Sequence, residues 1–159
     1  MELKASVYIE TTIISYLVAR PSRDLIVAAH QQLTQEWWKK RRPVFNCYVS
    51  QAVLAEASRG DPAEVLKRQA IMNTLPLLNA NDEVAELAEE FLHKRILPAK
   101  AAQDAVHIAV AATNGINFLL TWNCTHIANA SIEGRISELC RERGFQPPVI
   151  CTPEQLMLG

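Results

Sequence analysis

Short apolar runs alternate along this chain with longer stretches of helical periodicity. Residues 6–9 read as a first strand. Residues 25–42 read as a helix, with Leu25, Ala28, Ala29, Leu33 and Trp37 near a 3.6-residue period. Pro43 ends that helix, and residues 44–47 form a second strand. Ser50 is placed to cap a helix running to Ser58, which Gly60 closes. Pro62 suits the first turn of another helix, through Met72, and residues 74–78 form a weaker third strand. Asn81 caps a helix through Lys94, with Val84, Leu87, Ala88, Phe91 and Leu92 on one face. After Pro98, residues 101–113 are strongly apolar and stop at Asn114-Gly115. Residues 117–121 form a fourth strand, 132–143 a helix stopped by Gly144, and 149–151 a short fifth strand before a terminal turn at Thr152-Pro153.

Strands separated by helices need crossover connections. Those give a mostly parallel sheet with helices on both faces. The expected fold class is therefore α/β, a three-layer α/β/α sandwich around a central sheet of about five strands. With no linker, repeat or low-complexity stretch in 159 residues, one domain over 1–159 is expected.

A hydrophobic fraction of 49% excludes a disordered chain. The net charge of −1 means that any contact with nucleic acid must come from local patches. Met1-Glu2-Leu3-Lys4 is not expected to open a secretory leader, and no apolar run approaches the roughly 20 residues of a membrane span. A cytoplasmic protein without membrane contact is expected. Cys47, Cys124, Cys140 and Cys151 include no CxxC pair, so they are expected to be reduced thiols, mostly in the core, and not zinc ligands.

Against this apolar background, polar groups recur in Tyr8-Ile9-Glu10-Thr11-Thr12, Ala55-Glu56, Gln103-Asp104-Ala105 and Leu120-Thr121-Trp122-Asn123. Glu10 follows the first strand and Asn123 follows the fourth. Ligands in open α/β sheets bind beyond the carboxyl ends of strands, so the two meet if those strands are neighbours. Glu56 and Asp104 sit in apolar helical stretches, where a carboxylate is costly unless paired or bound to a cation. Oxygen ligands gathered at one sheet edge suit a hard divalent cation and phosphate chemistry.

These four segments, in this order and spacing, resemble the PIN domain, and most closely the VapC toxins of bacterial toxin–antitoxin pairs. The resemblance runs from about Val7 to Thr152. It implies a Mg²⁺- or Mn²⁺-dependent endoribonuclease leaving 5′-phosphate and 3′-hydroxyl ends. It also implies a small protein antitoxin as partner and a homodimer. Carried over by position, Glu10, Glu56 and Asp104 become the metal-binding carboxylates, Thr11 or Thr12 the hydroxyl after the first acid, and Asn123 the place of a fourth catalytic acid. Two positions depart from the common pattern: Glu10 stands where Asp is usual, and so does Asn123. The amide removes a negative charge and should weaken a second metal. The apolar helix faces within 13–37 and 81–92 are candidate dimer surfaces, with core packing their default role.

Each residue also has a plainer role open to it. Glu10 and Asp104 can serve as acids at helix N-termini, Glu56 can pair with Arg59, and Asn123 can cap a turn. His107, three residues after Asp104, is either a neighbour of the site, contacting Asp104 or a bound water, or a satisfied helix histidine; His126 is equally open. Trp37-Trp38-Lys39-Lys40-Arg41-Arg42 can touch RNA or simply complement a helix C-terminus. Arg20, Arg23, Lys94, Arg95 and Lys100 are further basic candidates. The competing function is a PIN-type module that binds RNA or protein without cutting. A nucleotide-binding enzyme has no support, because the chain has 5 glycines and neither GxGxxG nor GxxxxGK[ST].

Overall fold

The computed structural model describes residues 3–157. Met1 and Glu2, part of the N-terminal leader reading, and Leu158 and Gly159 lie outside the described residues. The strands are β1 (Ser6–Ile9), β2 (Asn46–Tyr48), β3 (Phe118–Leu120) and β4 (Val149–Cys151), in the spatial order β2-β1-β3-β4. All pairings are parallel, with Ile9 opposite Leu120 and Leu120 opposite Cys151. The sheet therefore has four strands instead of about five. Residues 74–78 contribute only an isolated parallel bridge, Val49 to Leu77. Pro76 lies within that segment and has no backbone N–H to donate to a ladder.

The helices are α1 (Thr11–Val18), α2 (Leu25–Lys40), α3 (Gln51–Ala57), α4 (Pro62–Met72), α5 (Asp82–His93), α6 (Ala102–Thr113) and α7 (Ala130–Glu142). Ser50, Asp61 and Asn81 cap α3, α4 and α5 with side-chain oxygens. Gly60, Gly115 and Gly144 take the positive φ that ends α3, α6 and α7. The second strand lies two residues later than predicted, because Pro43 draws Arg42–Val44 into a 3₁₀ turn.

α1 is the element whose bounds the sequence does not reveal. Its run Ile13-Ile14 is β-branched, and its N-cap is Glu10, an uncommon capping residue. α1 forms because Ile13 and Ile14 are fully buried while the Glu10 carboxylate accepts from Thr12 N–H.

β1 connects to β2 on one side, while β3 lies on its other side. The carboxyl ends of β1 and β3 thus form the point where chain direction over the sheet reverses, the place where open α/β sheets generally bind ligands. The core beneath is continuous, built from Val7, Ile9, Leu119 and Leu120 in the sheet, Trp37, Phe91 and Ile108 from the helices, and Leu97 from the loop after α5. No helix among the described residues is long and apolar enough to cross a membrane.

Candidate metal centre

Glu10 leaves β1 in extended conformation and is only 3% exposed. Its Oε1 accepts from Thr12 N–H at 3.1 Å, from the Thr12 hydroxyl, and from Thr121 Oγ1 at 2.6 Å. Oε2 is left without a protein donor among the described residues. One oxygen of Glu10 thus caps α1, and the other has no protein donor among the described residues.

Glu56 lies near the end of α3, and its Oε1 accepts from Thr11 Oγ1 at 2.8 Å and from His107 Nε2. Its Oε2 is again without a protein donor among the described residues. Burial alone would raise the Glu56 carboxyl. Hydrogen bonds from His107 and Thr11, with the Arg59 guanidinium nearby, hold it below the ordinary carboxylate value. Thr11 and Thr12 therefore divide the work, with Thr11 serving Glu56 and Thr12 serving Glu10.

Ligand atoms of Glu10, Glu56 and His107 all lie within 4.8 Å of one another. Asp104 stands outside that group. It occupies the first turn of α6, where Asn123 Nδ2 donates to its Oδ1 at 3.0 Å and His126 Nδ1 bonds its Oδ2 at 3.1 Å. Asn123 Oδ1 meanwhile accepts from His126 N–H at 3.1 Å. That orientation of the amide is unambiguous, because a backbone N–H only donates and a carboxylate only accepts. Asn123 is thus both a turn cap and a clamp on Asp104.

The two groups of residues are linked through Thr121. Its hydroxyl donates to Glu10 and accepts from Asn123 N–H at 2.9 Å. Thr121 is fully buried at the end of an apolar strand, a placement in which a hydroxyl needs partners. That was the available sequence signal for its role.

His107 faces Glu56 and Tyr8, not Asp104. A spacing of three residues leaves side chains about 60° apart around a helix, enough to aim His107 toward α3. Tyr8, Ser50 and Thr121 are the polar residues of the site that sequence reasoning passed over. A tyrosine inside a fully buried strand is the signal for the first, since its hydroxyl must find a partner.

The aromatic–basic run 37–42 lies at the other end of the sheet, leading into the amino end of β2. Trp37 is buried and stacks on Phe45 at 5.9 Å, while the Arg42 guanidinium sits 4.6 Å above Trp38. Lys39 and Lys40 are exposed in the last turn of α2, where the helix dipole favours cations. Of the other basic candidates, Lys94 pairs with Glu142 at 3.5 Å, and Lys100 lies in the turn leading into α6 and Asp104. A different aromatic group follows Thr121, where Trp122 N–H donates to Thr12 Oγ1 at 2.9 Å. Trp122 stacks on His30 at 4.0 Å and donates from Nε1 to Thr34 Oγ1 at 2.7 Å.

Two free carboxylate oxygens, supplied by Glu10 and Glu56 and backed by fixed hydroxyl donors, fit a hard divalent cation. Both Asp104 oxygens accept from neutral or basic donors, and Asp104 is not part of the group that converges within 4.8 Å.

No protein-family model matches the sequence, and no curated protein matches it. Solved structures do match. VapC20 of Mycobacterium tuberculosis, described as a Sarcin-Ricin loop cleaving toxin, aligns with a TM-score of 0.59 at 16% identity, over 87% of this chain and 95% of that one. VapBC2 of Rickettsia felis, solved bound to a DNA fragment from its promoter, aligns with a TM-score of 0.53 at 14% identity, over 92% and 98%. At such identities the likeness is one of architecture: this chain has the PIN-type fold of the VapC toxins.

Proposed function

We propose that this chain is a metal-dependent endoribonuclease, a single PIN-type domain spanning 1–159 that acts in the cytoplasm as the toxin of a toxin–antitoxin pair. The observation that carries the reading is the convergence of Glu10, Glu56 and His107 within 4.8 Å, with one oxygen of each carboxylate free of protein donors. Glu10 and Glu56 would hold Mg²⁺ or Mn²⁺, with Asp104 beside them. The chemistry such a cation supplies when bound is polarisation of a phosphate oxygen and activation of a water for attack on phosphorus.

The chain's own residues prepare that site. Thr12 and Thr121 fix Glu10, Thr11 and His107 fix Glu56, and Asn123 with His126 fixes Asp104. Because these donors are in place before substrate arrives, little reorganisation is left for the reaction. Trp122, which follows Thr121 in the chain, and His30, stacked on it, offer aromatic surface against which a base can stack. Leu25 and Ile26, exposed at 85% and 70% at the start of α2, give the 13–37 surface an apolar patch for a second copy or an antitoxin.

RNA cleavage by the purified chain, freed of any partner, tests the reading. Cleavage should need Mn²⁺ or Mg²⁺ and fall at least a hundredfold in Glu10→Gln and in Glu56→Gln, with a smaller loss in Asp104→Asn, on the usual scale for catalytic groups. Equal cutting by wild type and Glu10→Gln would remove the assignment. The occupied oxygens of Asp104 favour a second reading, a binding module whose catalysis has been lost. It predicts RNA binding without metal-dependent cleavage.

A further inference from the structure

From Glu56 a chain of buried polar groups runs through His107 into the core. Tyr8 Oη lies 2.7 Å from Ser50 Oγ and 2.6 Å from His107 Nδ1. His107 Nε2 meets Glu56 Oε1, and Ser50 Oγ accepts from Val53 N–H at 3.5 Å. Tyr8 and His107 are 0% exposed and Ser50 is 1% exposed. A row of four polar groups through an apolar core is expensive unless every member is satisfied.

One direction of donation satisfies all of them. Val53 N–H donates to Ser50, the Ser50 hydroxyl to Tyr8, the Tyr8 hydroxyl to His107 Nδ1, and His107 Nε2–H to the Glu56 carboxylate. The reverse direction fails twice. It sets the Nε2 lone pair against a carboxylate oxygen, and it leaves the Ser50 hydroxyl proton without an acceptor among the described residues.

The circuit is closed in space. Ser50 caps the start of α3, Glu56 lies near its end, Tyr8 belongs to β1 and His107 to α6. Tyr8 and Glu10 are two residues apart on extended backbone, so they point to the same side of the sheet. Through Tyr8, the position of Glu56 is therefore referred to the strand that presents Glu10.

We propose that Tyr8 and Ser50 lock His107 in its Nε2–H tautomer, and that this lock positions Glu56 Oε1 so that Oε2 faces the cation. Tyr8, Ser50 and His107 are positioning residues. The proposal rests on the metal-binding reading above and assigns these residues a part in it. Removing a hydrogen-bond partner that holds a metal ligand in place changes metal affinity by about tenfold to a hundredfold.

Two measurements decide it. Long-range ¹H–¹⁵N spectra of the wild-type imidazoles should show His107 protonated at Nε2 and bare at Nδ1; an Nδ1–H tautomer overturns the lock. Titration with Mn²⁺ should show about tenfold weaker binding in Tyr8→Phe than in wild type. Ile136→Val, a buried change in α7, should leave binding unchanged. His107→Gln, whose amide can still donate to Glu56, should retain more affinity than His107→Leu. Affinity in folded Tyr8→Phe within twofold of wild type overturns the proposal. Wild type that takes up no Mn²⁺ overturns the metal reading instead, and the tautomer spectrum then decides the lock on its own.

Discussion

Asn123 and Asp104 meet as donor and acceptor, with Asn123 Nδ2 3.0 Å from Asp104 Oδ1. An aspartate at 123 would replace this bond with two facing carboxylates. Asn123→Asp should therefore lower stability by about 1–3 kcal/mol in the absence of metal, the cost of a lost hydrogen bond with an unpaired partner. Added Mn²⁺ should recover part of that loss. Thermal unfolding with and without Mn²⁺ checks both parts; an unchanged midpoint in chelator would show that the pair contributes nothing.

Thr121 joins the two halves of the site, donating to Glu10 at 2.6 Å and accepting from Asn123 N–H at 2.9 Å. Thr121→Val keeps the shape and removes both bonds, so it should cost about 1–3 kcal/mol. Thr121→Ser keeps the hydroxyl and should cost less. Urea unfolding of the two variants measures the difference.

The four cysteines should divide by burial. Cys124 is exposed, while Cys47, Cys140 and Cys151 are buried. Burial pushes the Cys47 and Cys140 thiols up to about 11 and Cys151 to about 12, from an ordinary 9.0. A thiol-specific disulfide reagent at neutral pH should label Cys124 alone in the native protein and all four after denaturation. The raised values favour the neutral thiols in the folded state. Their contribution to stability is therefore fully present below pH 9.0 and is lost as pH rises toward 11 and 12. Chemical denaturation at a series of alkaline pH values should show that decline, and Cys151→Ala should reduce it.

Two glycines near α7 should respond oppositely to alanine. Gly144 ends the helix with φ +82°, and a Cβ there meets nothing within 4 Å, so Gly144→Ala carries only a backbone cost of about 1–2 kcal/mol. Gly134 lies inside the helix with the same open surroundings, and Gly134→Ala should stabilise by about 0.5–1 kcal/mol. A shift of the same sign in both, read by thermal unfolding, would contradict the helix boundary.

Much of the architecture was legible locally. Ser50, Asn81 and Pro62 begin helices, and Gly60, Gly115 and Gly144 end them, because capping and positive φ depend on a few adjacent residues. Bounds blurred where neighbours competed. Pro43 pulled Val44 out of the second strand, Pro76 kept residues 74–78 from forming a third, and a glutamate cap hid the start of α1.

The sequence by itself determined the alternation of strands and helices, hence a parallel α/β sheet, and the order of four polar segments along it. It named Glu10, Glu56, Asp104 and Asn123 as candidates. Only the tertiary structure decided how they pair. Placing β3 beside β1 brought Thr121 to Glu10 across 111 residues, and packing α6 against α3 turned His107 toward Glu56 across 51. The same packing left Asp104 to Asn123 and His126. A buried carboxylate takes whichever donors the fold brings within reach. Those donors come from distant parts of the chain, so local pattern does not specify them.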